Sequence, residues 1–217
     1  MKLALVNPNT SAATTATMVR IAAETAGALA AVEGYTAAFG SALITGPEAL
    51  DLAAEAVAAL APALGDAQAV IVAAFGDPGL DRLRAALDVP VIGIAEAGMA
   101  EAANGGRRFG VVTTTPDLRD RIAKTALRYG HHRFAGTWTT PGDPVTLMAD
   151  PRALRASLAA AIERAVREAG VEAVVIGGGP LALAARALSA TAPVPLVEPL
   201  PAAVRLALTR VAAGVRT

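Results

Sequence analysis

The chain has 217 residues, of which 54% are hydrophobic, with 19 basic and 19 acidic side chains and no cysteine. This length can bury a large core in one domain or in two small ones. The balanced charge excludes a long-range field that would hold a polyanion such as nucleic acid, and the lack of cysteine excludes disulfides, thiolate metal sites and thiol chemistry, so we expect a small-molecule partner.

Predicted strands and helices alternate along the whole chain. In the first half, strands are expected at residues 3–6, 35–39, 69–73 and 89–94, with helices at 12–29, 47–64 and 81–87. A helix at 94–104 leads into the second half. There, strands are expected at 108–113, 134–139, 171–176 and 195–197, and helices at 117–129, 152–169, 181–188 and 202–213. Such alternation is typical of an α/β fold with parallel sheets.

Several classes of segment and site are not indicated by the sequence. No apolar run has the length of a membrane span, and the chain enters a strand within three residues of Met1, so a cytoplasmic location is expected. Residues 177–179 are three glycines, but no Lys-Ser or Lys-Thr follows, as a nucleotide-binding loop would require. No spacing of metal ligands occurs, so we expect no metal.

An internal repeat relates the two halves of the chain. Residues 69–80 and 173–181 each run from an apolar strand into small residues, and this pairing places Ala74 opposite Gly178. Residues 2–10 resemble 108–116, and residues 89–96 resemble 192–199, where Glu96 and Glu198 each follow the strand and are taken as equivalent. The order predicts a duplicated unit. We expect two similar Rossmann-like lobes, residues 1–96 with 199–217 and residues 97–198. Each would hold a four-stranded parallel sheet, with a pseudo-twofold axis relating the lobes and a cleft between them.

The polar signals of the sequence fall where predicted strands end. In parallel sheets, ligands bind beyond the carboxyl ends of the strands, where small residues and helix N-termini expose backbone N–H groups. We therefore expect neutral hydrogen-bond donors there to bind a small carboxylate or imide. The candidate ligand-contacting residues are Asn9, Thr10, Ala74, Phe75, Gly76, Thr113, Thr114, Gly178 and Gly179.

Four motifs at these strand ends resemble one protein family. They are Asn-Pro-Asn-Thr-Ser at residues 7–11, Ala-Phe-Gly-Asp-Pro-Gly-Leu at 74–80, Gly-Ile-Ala-Glu-Ala at 93–97 and Arg-Arg-Phe-Gly-Val-Val-Thr at 107–113. Together they resemble the Asp/Glu/hydantoin racemase superfamily, and most of all its hydantoin and allantoin racemase branch. The resemblance implies two Rossmann-like lobes, a homo-oligomer, and a 1,1-proton transfer next to a carbonyl that needs no cofactor.

The resemblance also implies two cysteines that face each other across the substrate, and both are missing. They would stand at Ala74 and Gly178, and neither a methyl group nor a hydrogen can carry a proton. Two hypotheses follow. The leading one is carbon-acid chemistry by other groups on a small amino-acid derivative, a hydantoin or a dicarboxylate. The alternative is a catalytically inactive protein that binds a small ligand on the same fold.

Three carboxylates are candidates for a replacement base. Asp77 precedes Pro78 at a strand-to-helix turn, where an aspartate usually caps a helix. Glu96 and Glu198 each follow a fourth strand, where desolvation could raise a carboxyl pKa, although bonding to backbone N–H groups is the commoner role. His131 and His132 follow a glycine that ends a helix, which favours a surface position.

Overall fold

The computed structural model describes residues 1–178 and 181–215, and the chain divides into two compact units. The first unit comprises Met1–Ala97 and Leu200–Thr217, and the second comprises Gly98–Pro199. We call them the first and the second lobe. Within the described residues, no helix combines the length and the apolar character needed to cross a bilayer.

The described part of the first lobe contains a parallel four-stranded sheet in the order β2-β1-β3-β4. Its strands are β1 (Lys2–Asn7), β2 (Ala31–Thr36), β3 (Ala69–Val72) and β4 (Val91–Gly93). Its helices are α1 (Ala12–Ala26), α2 (Pro47–Ala58) and α3 (Leu80–Ala86), while α4 (Ile94–Ala102) leads into the second lobe. Every residue of β3 is buried, as expected for an inner strand covered on both faces.

The second lobe repeats this arrangement, with the strand order β6-β5-β7-β8 among its described residues. Its strands are β5 (Phe109–Thr113), β6 (Phe134–Thr139), β7 (Ala173–Ile176) and β8 (Leu196–Val197). Its helices are α5 (Arg119–Arg128), α6 (Pro144–Ala149), α7 (Pro151–Ala169) and α8 (Ala182–Leu188); α9 (Pro199–Ala212) then returns the chain to the first lobe. Short 3-10 turns lie at Gly27–Leu29, Ala61–Ala63, Asn104–Gly106 and Pro116–Leu118.

Helix α7 shows how the sequence determines these elements. Asp150 accepts hydrogen bonds from the first backbone N–H groups of the helix, and Gly170 ends it with φ 58°, a conformation that costs glycine little. The buried face of α7 includes Leu158 and Ile162, which pack in one cluster with Val174 of β7. Full burial of a leucine or isoleucine side chain contributes roughly 1.5–3 kcal/mol, so this face fixes the helix against the sheet.

The register of the strands confirms that Ala74 and Gly178 are equivalent. Val6 lies opposite Val72 in the first sheet, and Val112 lies opposite Ile176 in the second. The residue after β3, Ala73, donates its N–H to the Val6 carbonyl at 2.8 Å, and the residue after β7, Gly177, donates to the Val112 carbonyl at 2.8 Å. The residues that follow, 74 and 178, therefore occupy the same place in the two lobes.

The predicted equivalence of Glu96 and Glu198 is wrong. Val70 donates to the Pro90 carbonyl at 2.9 Å and Val174 donates to the Pro195 carbonyl at 3.0 Å, so the two prolines correspond. Counting from them, Glu198 corresponds to Gly93, three residues before Glu96. The acidic residues had been matched by type, and only the hydrogen-bond register reveals the three-residue offset.

Two further elements differ from the prediction. Strand β2 covers Ala31–Thr36 and not residues 35–39, because the chain pairs with β1 from Ala31 onward. A Cβ on Gly34 would lie 2.6 Å from the Val19 side chain, so glycine at this position lets α1 pack on the strand. The six-residue helix α6 was not predicted; Asp143 caps it by accepting a hydrogen bond from Thr146.

Candidate functional site

The carboxyl end of β1 carries a buried amide and hydroxyl network. The Asn7 side chain donates to the Asn9 carboxamide oxygen at 2.8 Å and to the Thr15 hydroxyl at 2.9 Å. The Thr15 hydroxyl lies 2.7 Å from that of Thr36, at the end of β2. The network fixes the β1–α1 loop before any ligand is present. Asn7 belongs to the motif at residues 7–11, whereas Thr15, on the facing helix, had not been selected from the sequence.

The candidates Asn9 and Thr10 lie in this loop. The Asn9 side-chain oxygen accepts the Ser11 N–H at 2.9 Å, and Ser11 in turn caps α1, as predicted for Thr10 or Ser11. No described residue accepts a hydrogen bond from the Asn9 Nδ2 group, so this donor is available. Thr10 donates its backbone N–H to the Ser41 carbonyl at 3.1 Å, which ties the β1 and β2 loops together.

The loop after β3 contains Ala74, Phe75, Gly76 and Asp77. Asp77 donates its N–H to the Ala74 carbonyl at 3.1 Å, which closes a tight turn. Gly76 has φ 106° and Asp77 has φ 53°, a left-handed conformation that aspartate adopts more readily than most residues. Phe75 is buried and Ala74 is partly exposed. The turn holds backbone N–H groups at the end of the inner strand.

Asp77 is a helix cap in this structure. One carboxylate oxygen accepts the Ala95 N–H and the other accepts the Glu96 N–H, both at 2.8 Å. These groups open α4, where a negative charge also interacts favourably with the helix dipole. The side chain is 3% exposed, and a Cβ on Gly93 would overlap its carboxyl group. The carboxylate thus occupies the space that glycine leaves at the end of β4.

The other two carboxylate candidates are engaged in ion pairs. Glu96 accepts hydrogen bonds from Arg84 at 2.7 Å and from Arg210 at 2.8 Å, which connects α4 to α3 and α9. Glu198 accepts one from Arg186 of α8 at 2.9 Å. Both side chains are partly buried. Each glutamate side chain is therefore paired with at least one guanidinium group, and neither is free at a strand end.

At the end of β5, Thr113 and Thr114 are both 2% exposed. The Thr113 hydroxyl donates to the Gly177 carbonyl at 2.9 Å, so it bridges the ends of β5 and β7. The Thr114 hydroxyl makes no hydrogen bond to any described residue. Of the two threonines, Thr114 is therefore the one whose hydroxyl has no partner in the part of the chain that the structure describes.

Gly178 stands at the end of β7 with φ 137°, a conformation that glycine adopts at little cost. Its carbonyl accepts the Leu181 N–H at 3.1 Å, a hydrogen bond that matches the one from Asp77 to Ala74 in the first lobe. Leu181 therefore takes the place of Asp77 in the second lobe. The remaining candidate, Gly179, lies outside the described residues.

Sequence reasoning missed a polar cluster at the end of β6. Arg119 opens α5 and donates to the Thr139 hydroxyl at 2.8 Å. Thr140 follows and donates its backbone N–H to the Thr113 carbonyl at 3.1 Å. The run of two threonines at a strand end was the available signal, since the same pattern at the end of β5 had been selected.

Comparisons with known proteins extend along the whole chain. The sequence profile of the Asp/Glu/hydantoin racemase family matches residues 3–207. The chain belongs to this family. It is 30% identical to a hydantoin racemase from Paenarthrobacter aurescens, over all of this chain and 94% of that protein. Two allantoin racemase structures are similar over the full chain. That from Pseudomonas fluorescens is 30% identical with a TM-score of 0.95 over 93% of its length, and that from Klebsiella pneumoniae is 31% identical with a TM-score of 0.93 over 90%.

Neither residue 74 nor residue 178 of this chain carries a group that could transfer a proton. Residue 74 carries a methyl group, and residue 178 has no side chain. The first turn has ordinary φ at Ala74, so a larger side chain would fit its backbone, whereas φ 137° at Gly178 disfavours any side chain. The described part of the chain contains no cluster of three His, Asp or Glu side chains that could hold a metal.

The two histidines lie away from the carboxyl ends of the strands. His131 follows α5 and packs edge-on against Phe109 at 5.4 Å between ring centres. This partial burial lowers the pKa of His131 below its ordinary value, because the charged imidazolium loses hydration. His132 is exposed. The expected surface position therefore holds for His132, while His131 is partly buried at the amino end of β5.

Proposed function

We propose that this protein binds a small amino-acid derivative, a hydantoin or a small dicarboxylate, at the strand-end loops, and that it does not transfer protons between two thiols. The observation that carries the proposal is the engagement of all three candidate carboxylates. Asp77 caps α4, and Glu96 and Glu198 are paired with arginines. Ligand recognition needs none of them to change partner, whereas proton transfer would.

The loops offer the groups that such a ligand requires. Asn9 lies after β1 and Thr114 lies at the end of β5. The Asn9 Nδ2 group and the Thr114 hydroxyl each make no hydrogen bond to a described residue. Backbone N–H groups in the turn at Ala74 add neutral donors. Carbonyl and carboxylate oxygens of a hydantoin or a small acid accept from donors of this kind.

Carbon-acid catalysis without thiols is the second candidate function. It is favoured by the hydantoin racemase relative that matches the chain from end to end. Such a reaction removes a proton from the carbon next to a carbonyl and returns a proton to the same carbon. Asp77 is part of the first turn and would have to release the Ala95 and Glu96 N–H groups to act as the base.

One experiment separates the two functions. The protein is incubated in deuterium oxide with single enantiomers of 5-substituted hydantoins and of aspartate and glutamate. Ligand-dependent thermal stabilisation and α-proton exchange are measured on the same samples. Stabilisation without exchange above the buffer rate supports binding alone. Exchange that is lost in Asp77→Asn but kept in Glu198→Gln supports catalysis. If the ligands cause no stabilisation and no exchange, both functions are refuted.

Three sequence-based expectations stay predictions. They are that residues of both lobes contact one ligand, that the protein is a homo-oligomer, and that it is cytoplasmic. The first is testable by combining an Asn9→Ala change with a Thr114→Val change. If one ligand contacts both residues, its contact with one residue positions it for the other. We then expect the effects of the two substitutions on the dissociation constant of the ligand to be non-additive.

A further inference from the structure

The cluster at the end of β6 has more hydrogen-bond donors than acceptors. Arg119 has five N–H donors, and the Thr139 hydroxyl is the acceptor that the structure provides for it at 2.8 Å. No carboxylate among the described residues contacts Arg119. The Thr139 hydroxyl proton likewise has no described acceptor. Both groups therefore remain able to donate to a ligand.

Thr140 adds a buried hydroxyl without a partner. Its Oγ1 atom is buried and makes no hydrogen bond to a described residue, and the residue is 4% exposed. Buried hydroxyls are nearly always paired, since an unpaired one loses its hydration without compensation. Thr137 has a similar unpaired hydroxyl, but it lies within β6 opposite Val111 and not at the strand end. Thr140 is thus the unpaired hydroxyl at the ligand-binding edge of the sheet.

We propose that Arg119, Thr139 and Thr140 form a subsite for a carboxylate group of the ligand. A carboxylate has two acceptor oxygens and a negative charge, which match the planar guanidinium and the free hydroxyl donors. Among the strand-end groups of the second lobe described above, Arg119 is the cation. This inference rests on the proposed function, because it assigns the acidic part of the same ligand.

The spacing of the strands defines the ligand further. Thr114 lies at the end of β5, the strand next to β6, and neighbouring strands are about 5 Å apart. A ligand that contacts both Thr114 and the subsite needs a carboxylate arm about three or four bonds from its polar ring or head group. Hydantoin-5-propionic acid has this arrangement. Its carboxamide analogue has nearly the same shape without the charge.

The test is calorimetric titration of both compounds against the full-length protein at low ionic strength. The wild type should bind the acid roughly 10- to 100-fold more tightly than the amide, as expected for hydrogen bonds to a charged group. Arg119→Gln should remove this preference. Arg155→Gln, a change at another exposed arginine, should leave it intact.

Thr140→Val separates binding from folding. The substitution keeps the shape of the side chain and removes the unpaired hydroxyl, so the melting temperature of the free protein should stay constant or rise. The affinity for the acid should fall roughly 3- to 10-fold. A residue with a purely structural role would change stability and affinity in the same direction.

The outcomes distinguish this subsite from the proposed function. Equal binding of acid and amide by the wild type, or a preference that survives Arg119→Gln, overturns the subsite while the proposed function stands. Acetate, which is not an amino-acid derivative, provides an independent probe, since it should slow modification of Arg119 by phenylglyoxal but not that of Arg155. Protection by acetate without binding of any hydantoin or dicarboxylate supports the subsite and refutes the proposed function. Failure of both arms overturns the subsite.

Discussion

Replacing Asp77 with alanine should lower the free energy of unfolding by about 3–5 kcal/mol. The substitution removes two charge-assisted hydrogen bonds to the Ala95 and Glu96 N–H groups, each 2.8 Å long, and leaves these donors unpaired at the start of α4. The left-handed backbone at φ 53° adds about 1 kcal/mol of strain for alanine. Asp77→Asn keeps one acceptor and tolerates this backbone, so it should cost only about 1–2 kcal/mol.

The assay is urea-induced unfolding followed by circular dichroism, with proton exchange in deuterium oxide measured on the same variants. A further test uses Gly93, where a Cβ would overlap the Asp77 carboxyl group. Gly93→Ala should be strongly destabilising in the wild type and much less so in the Asp77→Ala background, because the carboxyl group is then gone. If Asp77→Ala lowers the free energy of unfolding by less than about 1 kcal/mol and also abolishes proton exchange, the capping role is refuted and Asp77 is catalytic.

Three other predictions concern the missing thiols, an ion pair and a histidine. Ala74→Cys should fold normally, whereas Gly178→Cys should lower the free energy of unfolding by about 1–3 kcal/mol because of the φ of 137° at this position. Polarimetry should show faster racemisation of a hydantoin by the double variant than by the parent. Glu96→Gln should lose about 1–3 kcal/mol in urea unfolding, since two partly buried arginines lose their carboxylate partner. Because burial lowers the pKa of His131, the unfolded chain binds the proton more tightly, and stability should fall as pH drops from 8 to 5. His131→Phe should reduce this dependence and His132→Gln should not, as unfolding midpoints at the two pH values would show.

The fold could be predicted because the inner strands carry an unambiguous signal. Residues 69–72 and 173–176 are short apolar runs that end in small residues, and burial on both faces leaves such runs few alternatives to a parallel sheet. Their ends placed Ala74 and Gly178 in equivalent turns. The edge strand β2 was predicted at residues 35–39, whereas it begins at Ala31 and contains Gly34. Only the packing of α1 explains the glycine.

The polar contacts could not be predicted to the same extent. Asp77 bonds to Ala95 of α4, 18 residues away in sequence, and Arg119 bonds to Thr139, 20 residues away. Local periodicity in the sequence does not predict such pairs. The capping role of Asp77 was weighed from its position before Pro78, but the helix it caps could not be named. The pairing of Glu96 with Arg210 spans 114 residues and depends on α9 returning to the first lobe.

The comparison of the two lobes shows why an acidic residue in each need not be a catalytic pair. In the first lobe the carboxylate of Asp77 fills the space beside Gly93; in the second, Leu181 stands at the position of Asp77 and Glu198 at that of Gly93. The residue that corresponds to Glu96 is Pro201, which has no N–H to be capped. A capping aspartate has less to bind there, and leucine replaces it. The carboxylates thus follow the backbone requirements of each lobe, and symmetry of the scaffold does not imply symmetry of acid and base.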